Sequence, residues 1–197
     1  MAVMATSDIT IVLASRSPRR RQLVADLGFN VRYVDIDVDE VVPEGTAVGD
    51  IPLHLARLKA EGYKEPLADG ELLVTADTIV VHGDTVLGKP HSKEDAVRIL
   101  KLLSGDKHQV YTGVCVMNNS RCESFVERTD VYFRQLSDET IQYYVNQGTC
   151  LDKAGAYGIQ EWIGKVGVER IDGCYYNVVG LPVARLFATC RRLAGTK

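Results

Sequence analysis

Ile9-Thr10-Ile11-Val12-Leu13-Ala14-Ser15-Arg16-Ser17-Pro18-Arg19-Arg20-Arg21 is the stretch on which the fold turns. Its first six residues form a short apolar, β-branched run, the pattern of a buried strand. Ser17-Pro18 then opens a helix, because serine is a good N-cap and proline suits the first helical position. Leu23, Val24 and Leu27 supply the apolar face of that helix, and Gly28 closes it.

Working outward, Val31–Val38 reads as a second strand and Ile51–Tyr63 as a helix with Ile51, Leu55 and Leu58 inward. Glu71–Val81 is a strand interrupted by Thr75, Asp77 and Thr78, and Gly83-Asp84 turns it into Thr85–Leu87. Ser92 caps a helix with Val97, Leu100 and Leu103 on its core side. Gln109–Met117 and Ser124–Arg134 read as strands joined by a turn at Asn118–Ser120. Ser137 caps a helix that runs to Gln147. Leu151–Gly167 is glycine-rich and reads as a functional loop. Val168–Ile171 and Tyr175–Val179 look like a hairpin around Asp172-Gly173, and the last helix starts near Pro182. Strands and helices mix without strict alternation, which predicts an α/β or α+β fold with a mixed sheet.

At 197 residues the chain suggests one domain, with 46% apolar and 25% charged residues. Its net charge of −3 excludes a generally basic nucleic-acid binder. No apolar run approaches the length of a membrane helix. The odd set Cys115, Cys122, Cys150, Cys174 and Cys190 has no CxxC pair, so these thiols are expected reduced and mostly buried. No secretory signal is visible, which makes the cytoplasm the expected location.

Four clusters carry candidate chemistry. Arg16, Arg19, Arg20 and Arg21 crowd a helix N-terminus, where free N–H groups and a partial positive charge already favour an anion. Guanidinium groups add paired hydrogen bonds to phosphate oxygens. Asp77 lies inside an apolar strand, a costly place for a carboxylate unless it is paired or metal-bound, which marks it as a candidate metal ligand or general base. Lys89, in Gly88-Lys89-Pro90 beyond the turn, is a candidate for the same site. Asp35, Asp37, Asp39 and Glu40 alternate as if on one strand face, where oxygen donors suit Mg²⁺. In Asp152-Lys153-Ala154-Gly155-Ala156-Tyr157-Gly158-Ile159-Gln160, Lys153 is placed to contact phosphate, Tyr157 to pack on a base and Gln160 to read a base edge. Each cluster also has a plain structural reading: a solvated face for the arginines and the acidic run, an aspartate bonded to nearby backbone N–H groups for Asp77, and a tight loop for 152–160.

In order along the chain, several motifs resemble the Maf family of nucleoside triphosphate pyrophosphatases, once described as septum-formation proteins. They are Leu13-Ala14-Ser15-Arg16-Ser17-Pro18-Arg19-Arg20, Ala76-Asp77-Thr78-Ile79-Val80, Leu87-Gly88-Lys89-Pro90, Leu103-Ser104-Gly105, His108-Gln109-Val110-Tyr111-Thr112-Gly113, the 152–160 stretch and Val179-Gly180-Leu181-Pro182.

The resemblance implies a single α/β domain over residues 9–195, behind a flexible N-terminus at residues 1–8. It implies an elongated mixed β-sheet flanked by helices, similar to the inosine triphosphate pyrophosphatase fold. It further implies hydrolysis of a nucleoside triphosphate to monophosphate and diphosphate, by water attack at the α-phosphorus, with Mg²⁺ or Mn²⁺. The enzyme would be a cytoplasmic homodimer with neither nucleic acid nor membrane as partner. The family's catalytic residue falls on Asp77, with Glu40 and Asp77 as metal ligands. Its phosphate-binding positions match Ser15, Arg19, Arg20, Lys59 and Lys89, and its base-choice positions match Arg19, Thr78 and Gln160. Ala-Gly-Ala-Tyr-Gly-Ile-Gln resembles the dTTP/UTP subgroup rather than the 7-methyl-GTP subgroup, with removal of modified pyrimidine nucleotides as a related role.

One position departs from the pattern: glycine usually follows Ile-Gln, and here Glu161 does, a carboxylate that bears on loop shape or specificity. The alternative reading is a non-enzymatic nucleotide-binding regulator of cell division. It separates from the first by metal-dependent diphosphate release, which only an enzyme would show.

Overall fold

The computed structural model describes residues 8–195, so most of the expected flexible N-terminus lies outside the described residues. The secondary structure is α/β. Among the described residues the strands are β1 (Thr10–Ala14), β2 (Asn30–Val34), β3 (Glu71–His82), β4 (Thr85–Leu87), β5 (Lys107–Met117), β6 (Cys122–Phe133) and β7 (Val168–Asp172). The α-helices among the described residues are α1 (Pro18–Ala25), α2 (Ile51–Gly62), α3 (Lys93–Leu103), α4 (Asp138–Asn146), α5 (Trp162–Gly167), α6 (Tyr175–Val179) and α7 (Val183–Gly195).

The strands form one sheet in the order β2-β1-β3-β5-β6-β7, with β4 paired to β3. The pairs β1–β2 and β1–β3 are parallel, whereas β3–β4 and β6–β7 are antiparallel, so the sheet is mixed as expected. The chain divides into two compact units. The first holds residues up to Asp77, Thr112–Val126 and the segment from Gly180; the second holds Thr78–Tyr111 and Glu127–Val179.

In the first unit the period-2 alternation of the strands builds two apolar layers. Ile11, Leu13, Leu72, Val74, Ala76, Val114 and Val116 pack with Val24 of α1 and with Leu186, Cys190 and Leu193 of α7. The opposite face, Val12, Ala14, Leu73 and Cys115, packs with Ala56 and Ala60 of α2. A strand covered on both sides needs apolar residues at every position, which is why residues 11–14 read as a continuous run. Leu55 is buried as expected, while Ile51 and Leu58 are only half buried.

In the second unit, Ala96, Ile99, Leu100 and Leu103 of α3 and Ile141, Tyr144 and Val145 of α4 pack with Val80, Val110, Val131 and Phe133. The serine caps predicted for α3 and α4 are in place: Ser92 Oγ accepts from the Asp95 N–H at 3.2 Å and Ser137 Oγ from the Thr140 N–H at 3.2 Å.

Four local expectations are corrected. β2 stops at Val34 rather than Val38. The stretch 151–167 is not all loop, since it contains a 3-10 turn at Ala154–Ala156 and the helix α5. Tyr175–Val179 is a helix, not a strand. Its Asn177 is fully buried, and its Nδ2 donates to the carbonyl of Val110 and to Thr129 Oγ1, both at 3.0 Å. A buried amide needs such partners, and β-rich composition gave no sign of them. Tyr157 does not serve as a stacking platform. It is 6% exposed, with its ring edge-on to His108 and Phe133.

All five cysteines are free. Cys115, Cys150 and Cys190 are buried, Cys174 is partly covered and Cys122 is exposed. No described helix is long and apolar enough to cross a membrane.

His108 gives the second unit an acid sensitivity. It is fully buried, its Nε2 pairs with the Tyr157 hydroxyl at 2.7 Å, and its Nδ1 has no partner. Burial pushes its pKa from 6.5 down to about 3. Between those values the unfolded chain holds the proton and the folded chain does not, so stability falls as pH drops through this window. The slope from this one group is ~1.4 kcal/mol per pH unit. Acid titration by circular dichroism should show it, and His108→Phe should flatten the curve between pH 6.5 and 3. An unchanged slope in the variant would assign the acid sensitivity elsewhere.

Candidate active site

In the first unit the end of β1 hands the chain to α1 through Ser15 and Arg16. Ser17 caps α1, with its Oγ accepting from the Arg20 N–H at 3.4 Å. The first turn then carries Arg19, Arg20 and Arg21 and no acidic residue. Placing cations at the positive end of a helix opposes the usual preference and costs stability unless anions offset it.

The basic cluster divides. Arg16 pairs with Asp35 at 3.3 Å, and Arg21 lies 4.0 Å from the same carboxylate and over the Tyr33 ring. Ser15 is buried, its Oγ accepting from the Ser17 N–H at 3.2 Å and its carbonyl from Arg21 Nε at 2.8 Å. Arg20 points inward, donating from Nε to the carbonyl of Gly180 at 2.8 Å and from Nη1 to that of Ala76 at 3.0 Å. Desolvation pulls its pKa below the ordinary arginine value. Asp77 and Glu40 pull it up, while Arg19 pushes it down. Arg20 therefore shares one electrostatic neighbourhood with Arg19, Asp77 and Glu40.

The centre of that neighbourhood is Lys59. Its Nζ lies 2.7 Å from Asp77 Oδ1 and 3.0 Å from Glu40 Oε1. The Lys59 and Asp77 side chains are each 17% exposed, and that of Glu40 is 50% exposed. Two contacts hold α2 against the sheet so that Lys59 meets Asp77. Thr75 Oγ1 donates to the Ala56 carbonyl at 2.6 Å, and Gly113 of β5 lies directly under the backbone of Pro52 and Leu53.

The acidic run is not a shared strand face, because β2 ends before it. Asp35 goes to the arginines and Glu40 to Lys59. Among the described residues no three His, Cys, Asp or Glu side chains converge as a metal cage. Glu40 and Asp77 do converge, on a single cationic position filled by the Lys59 ammonium. Two hard oxygen donors are the number Mg²⁺ or Mn²⁺ takes from protein when substrate phosphates and waters complete the shell. The donor set fits such an ion.

The second unit carries the other candidates. Thr78 follows Asp77 on β3, and Lys89 is exposed beyond β4. The neighbour of Lys89, Gly88, accepts at its carbonyl from the Gly155 N–H at 3.1 Å, which joins the Lys89 turn to the 153–160 loop. Gly155 adopts φ +72°, which favours glycine, and a Cβ there would press on the Val80 side chain at 3.0 Å. Ala156 also has positive φ, at 60°, a strained state for a residue with a Cβ.

Lys153 is 6% exposed, and its ammonium is already engaged. It pairs with Asp152 at 2.6 Å and Glu161 at 2.9 Å, and it donates to the Thr149 carbonyl. Gln160 has an Oε1 that is buried without a hydrogen-bond partner.

A family model described as Maf-like protein matches residues 10–193. The chain belongs to the Maf-like family. Curated Maf-like relatives include a Parabacteroides distasonis protein, 51% identical over 90% of this chain and 92% of its own. A Bacteroides thetaiotaomicron protein is 48% identical over 93% of this chain and 95% of its own. A Porphyromonas gingivalis protein is 46% identical over 90% of each. All three are named dTTP/UTP pyrophosphatase.

The arrangement shared by Arg20, Glu40, Lys59 and Asp77 was only partly visible from residue types. Asp77 and the arginines stand out because they violate the local pattern. Lys59 does not, because a lysine on an amphipathic helix looks like any solvated one, and only the family resemblance marks it.

Proposed function

We propose that this Maf-like protein hydrolyses nucleoside triphosphates, with dTTP and UTP preferred, to the monophosphate and diphosphate. The observation that carries the reading is Lys59 set between Glu40 and Asp77, with Arg20 in the same electrostatic neighbourhood. Fixed cations beside paired carboxylates suit phosphoryl chemistry, in which positioning and charge stabilisation supply most of the rate.

Arg19, Arg20 and Lys59 bind phosphate oxygens, aided by Ser15 and the N-terminus of α1. Lys89 adds a further cation. A divalent cation held by Asp77 and Glu40 would offset phosphate charge and polarise the attacked group. Asp77 orients a water molecule and accepts its proton at a carboxylate oxygen. The water oxygen bonds to the α-phosphorus, the bridge to the β-phosphate breaks, and diphosphate leaves. Thr78 and Gln160 choose the base. An amide offers both an acceptor and donors, as the uracil and thymine edge requires, and the unpartnered Gln160 Oε1 is an acceptor in need of an N–H. The family resemblance also supports a cytoplasmic homodimer, a single domain over residues 9–195 and a role in removing modified pyrimidine nucleotides.

The test is a panel of UTP, dTTP, CTP, ATP and GTP, assayed for diphosphate release with Mg²⁺, with Mn²⁺ and with chelator. Release from UTP and dTTP should exceed that from ATP and GTP by about 10-fold or more, within the range that pocket hydrogen bonds provide. Chelator should abolish it. Equal rates on purines would reject the base choice, and no release from any nucleotide would favour the regulator reading.

A further inference from the structure

Glu161 stands where the family pattern has glycine, and both of its carboxylate oxygens are engaged. Its Oε2 accepts from the Tyr144 hydroxyl and, at 3.1 Å, from Thr149 Oγ1. Its Oε1 pairs with Lys153 Nζ at 2.9 Å. The Tyr144 hydroxyl in turn accepts from the Gly158 N–H at 3.2 Å. Burial and the Glu161 hydrogen bond raise the Tyr144 pKa above its ordinary value, so the phenol remains a donor. Residues 158 and 161 are thus tied to one fully buried ring of α4, and Gln160 lies between them.

A second observation links this network to the Gln160 amide. Gln160 Nε2, Glu161 Cδ and Lys153 Cε each lie 3.0 Å from one point, the place a Cβ on Gly158 would take. The nitrogen end of the amide and the Glu161 carboxyl carbon therefore border the same small space above Gly158. Oε1 is left as the unpartnered acceptor.

This orientation matters chemically. Uracil and thymine present an N3–H donor beside an O4 acceptor, whereas cytosine presents an N3 acceptor beside an N4 donor. An amide free to turn over satisfies either edge, but an amide held one way satisfies only the first.

We propose that Glu161 is a specificity-determining positioning residue: with Lys153 as its counter-ion and Tyr144 as its anchor, it holds the Gln160 amide in the orientation that accepts uracil or thymine and rejects cytosine. The proposal rests on the reading of Gln160 as the residue that meets the base. Lys153 on this view serves Glu161 and the loop, its charge being consumed within the protein. A Cβ on Gly158 would press on all three groups at 3.0 Å, so each would have to shift by a few tenths of an ångström.

The experiment compares purified wild-type protein with Glu161→Gln, Glu161→Ala, Tyr144→Phe and Gln160→Ala, measuring kcat and KM separately for UTP and CTP. Wild type should prefer UTP. Both Glu161 variants should lose about 10-fold or more of the UTP-over-CTP ratio in kcat/KM, through a higher KM for UTP and a lower one for CTP. Their kcat on UTP should stay within about threefold, because the reacting groups are untouched. Tyr144→Phe should shift the ratio in the same direction by less. A loss of stability alone would lower both substrates together and leave the ratio fixed. Gln160→Ala separates the two claims. If it removes discrimination while the Glu161 variants keep it, the proposal fails and the base reading stands. If Gln160→Ala keeps discrimination, the base reading fails and takes the proposal with it. Glu161→Gln is nearly isosteric, so it decides the matter should Glu161→Ala not fold.

Discussion

Asp77→Asn is expected to lower kcat for UTP by about 10²-fold or more, the scale on which acid–base or charge-stabilising groups contribute. The substitution keeps size and shape, so the packing of β3 should survive. What it removes is the negative charge that faces Lys59 Nζ at 2.7 Å and acts on Arg20. Three consequences follow from one change. On the proposed mechanism the attacking water would lose its proton acceptor and a divalent ion would lose a hard anionic ligand, while Lys59 keeps Glu40, whose side chain is half exposed. The first two act on the chemical step, so kcat should fall far more than affinity for the nucleotide, measured by equilibrium binding. Removing a carboxylate from a cationic cluster also reduces repulsion toward a triphosphate, and binding should be unchanged or tighter. Near-normal turnover in folded Asp77→Asn protein would remove Asp77 from the mechanism.

Gly113→Ala is expected to destabilise the protein by about 3 kcal/mol, the upper end for overpacking in a dense interior. The reason is the identity of the obstructing atoms. A Cβ on Gly113 would lie 2.2 Å from the Pro52 carbonyl carbon, 2.3 Å from Leu53 N and 2.3 Å from Pro52 O. These are backbone atoms of the first turn of α2, which have no rotamer to change, so the helix itself must move. In a domain of this size ~3 kcal/mol corresponds to a melting temperature lower by roughly 6–12 °C. Because α2 also carries Lys59, activity below the new melting temperature should fall as well. Gly195→Ala is the control, since nothing lies within 4 Å of a Cβ there. Equal melting temperatures for Gly113→Ala and wild type would show that α2 sits less tightly on β5 than these distances state.

Both effects arise where the pattern of one segment is answered by another segment far along the chain. Asp77 is visible from sequence because a carboxylate within Leu72–Val81 breaks an apolar run. Its partner Lys59 is hidden, because nothing in α2 distinguishes a lysine that meets a carboxylate from one that meets water. Gly113 sits in a strand-like pattern where a glycine has many readings, and only the approach of Pro52 selects one.

Local chemistry determined the elements governed by near neighbours: the buried β1, the proline-started α1, the serine-capped α3 and α4, the Gly83-Asp84 turn and the mixed sheet class. These depend on side-chain periodicity and on caps within a turn or two, which the sequence writes out directly. Tertiary structure decided what depends on partners far away in the chain. It made Tyr175–Val179 helical around a buried Asn177, consigned Tyr157 to the core, split the arginines between Asp35 and the interior, and gathered Glu161, Lys153 and Tyr144 into one network. Buried polar groups must find partners or forfeit their hydration, and those partners come from whichever segments the fold brings near. That pairing is a property of three-dimensional proximity, and no single window of residues contains it.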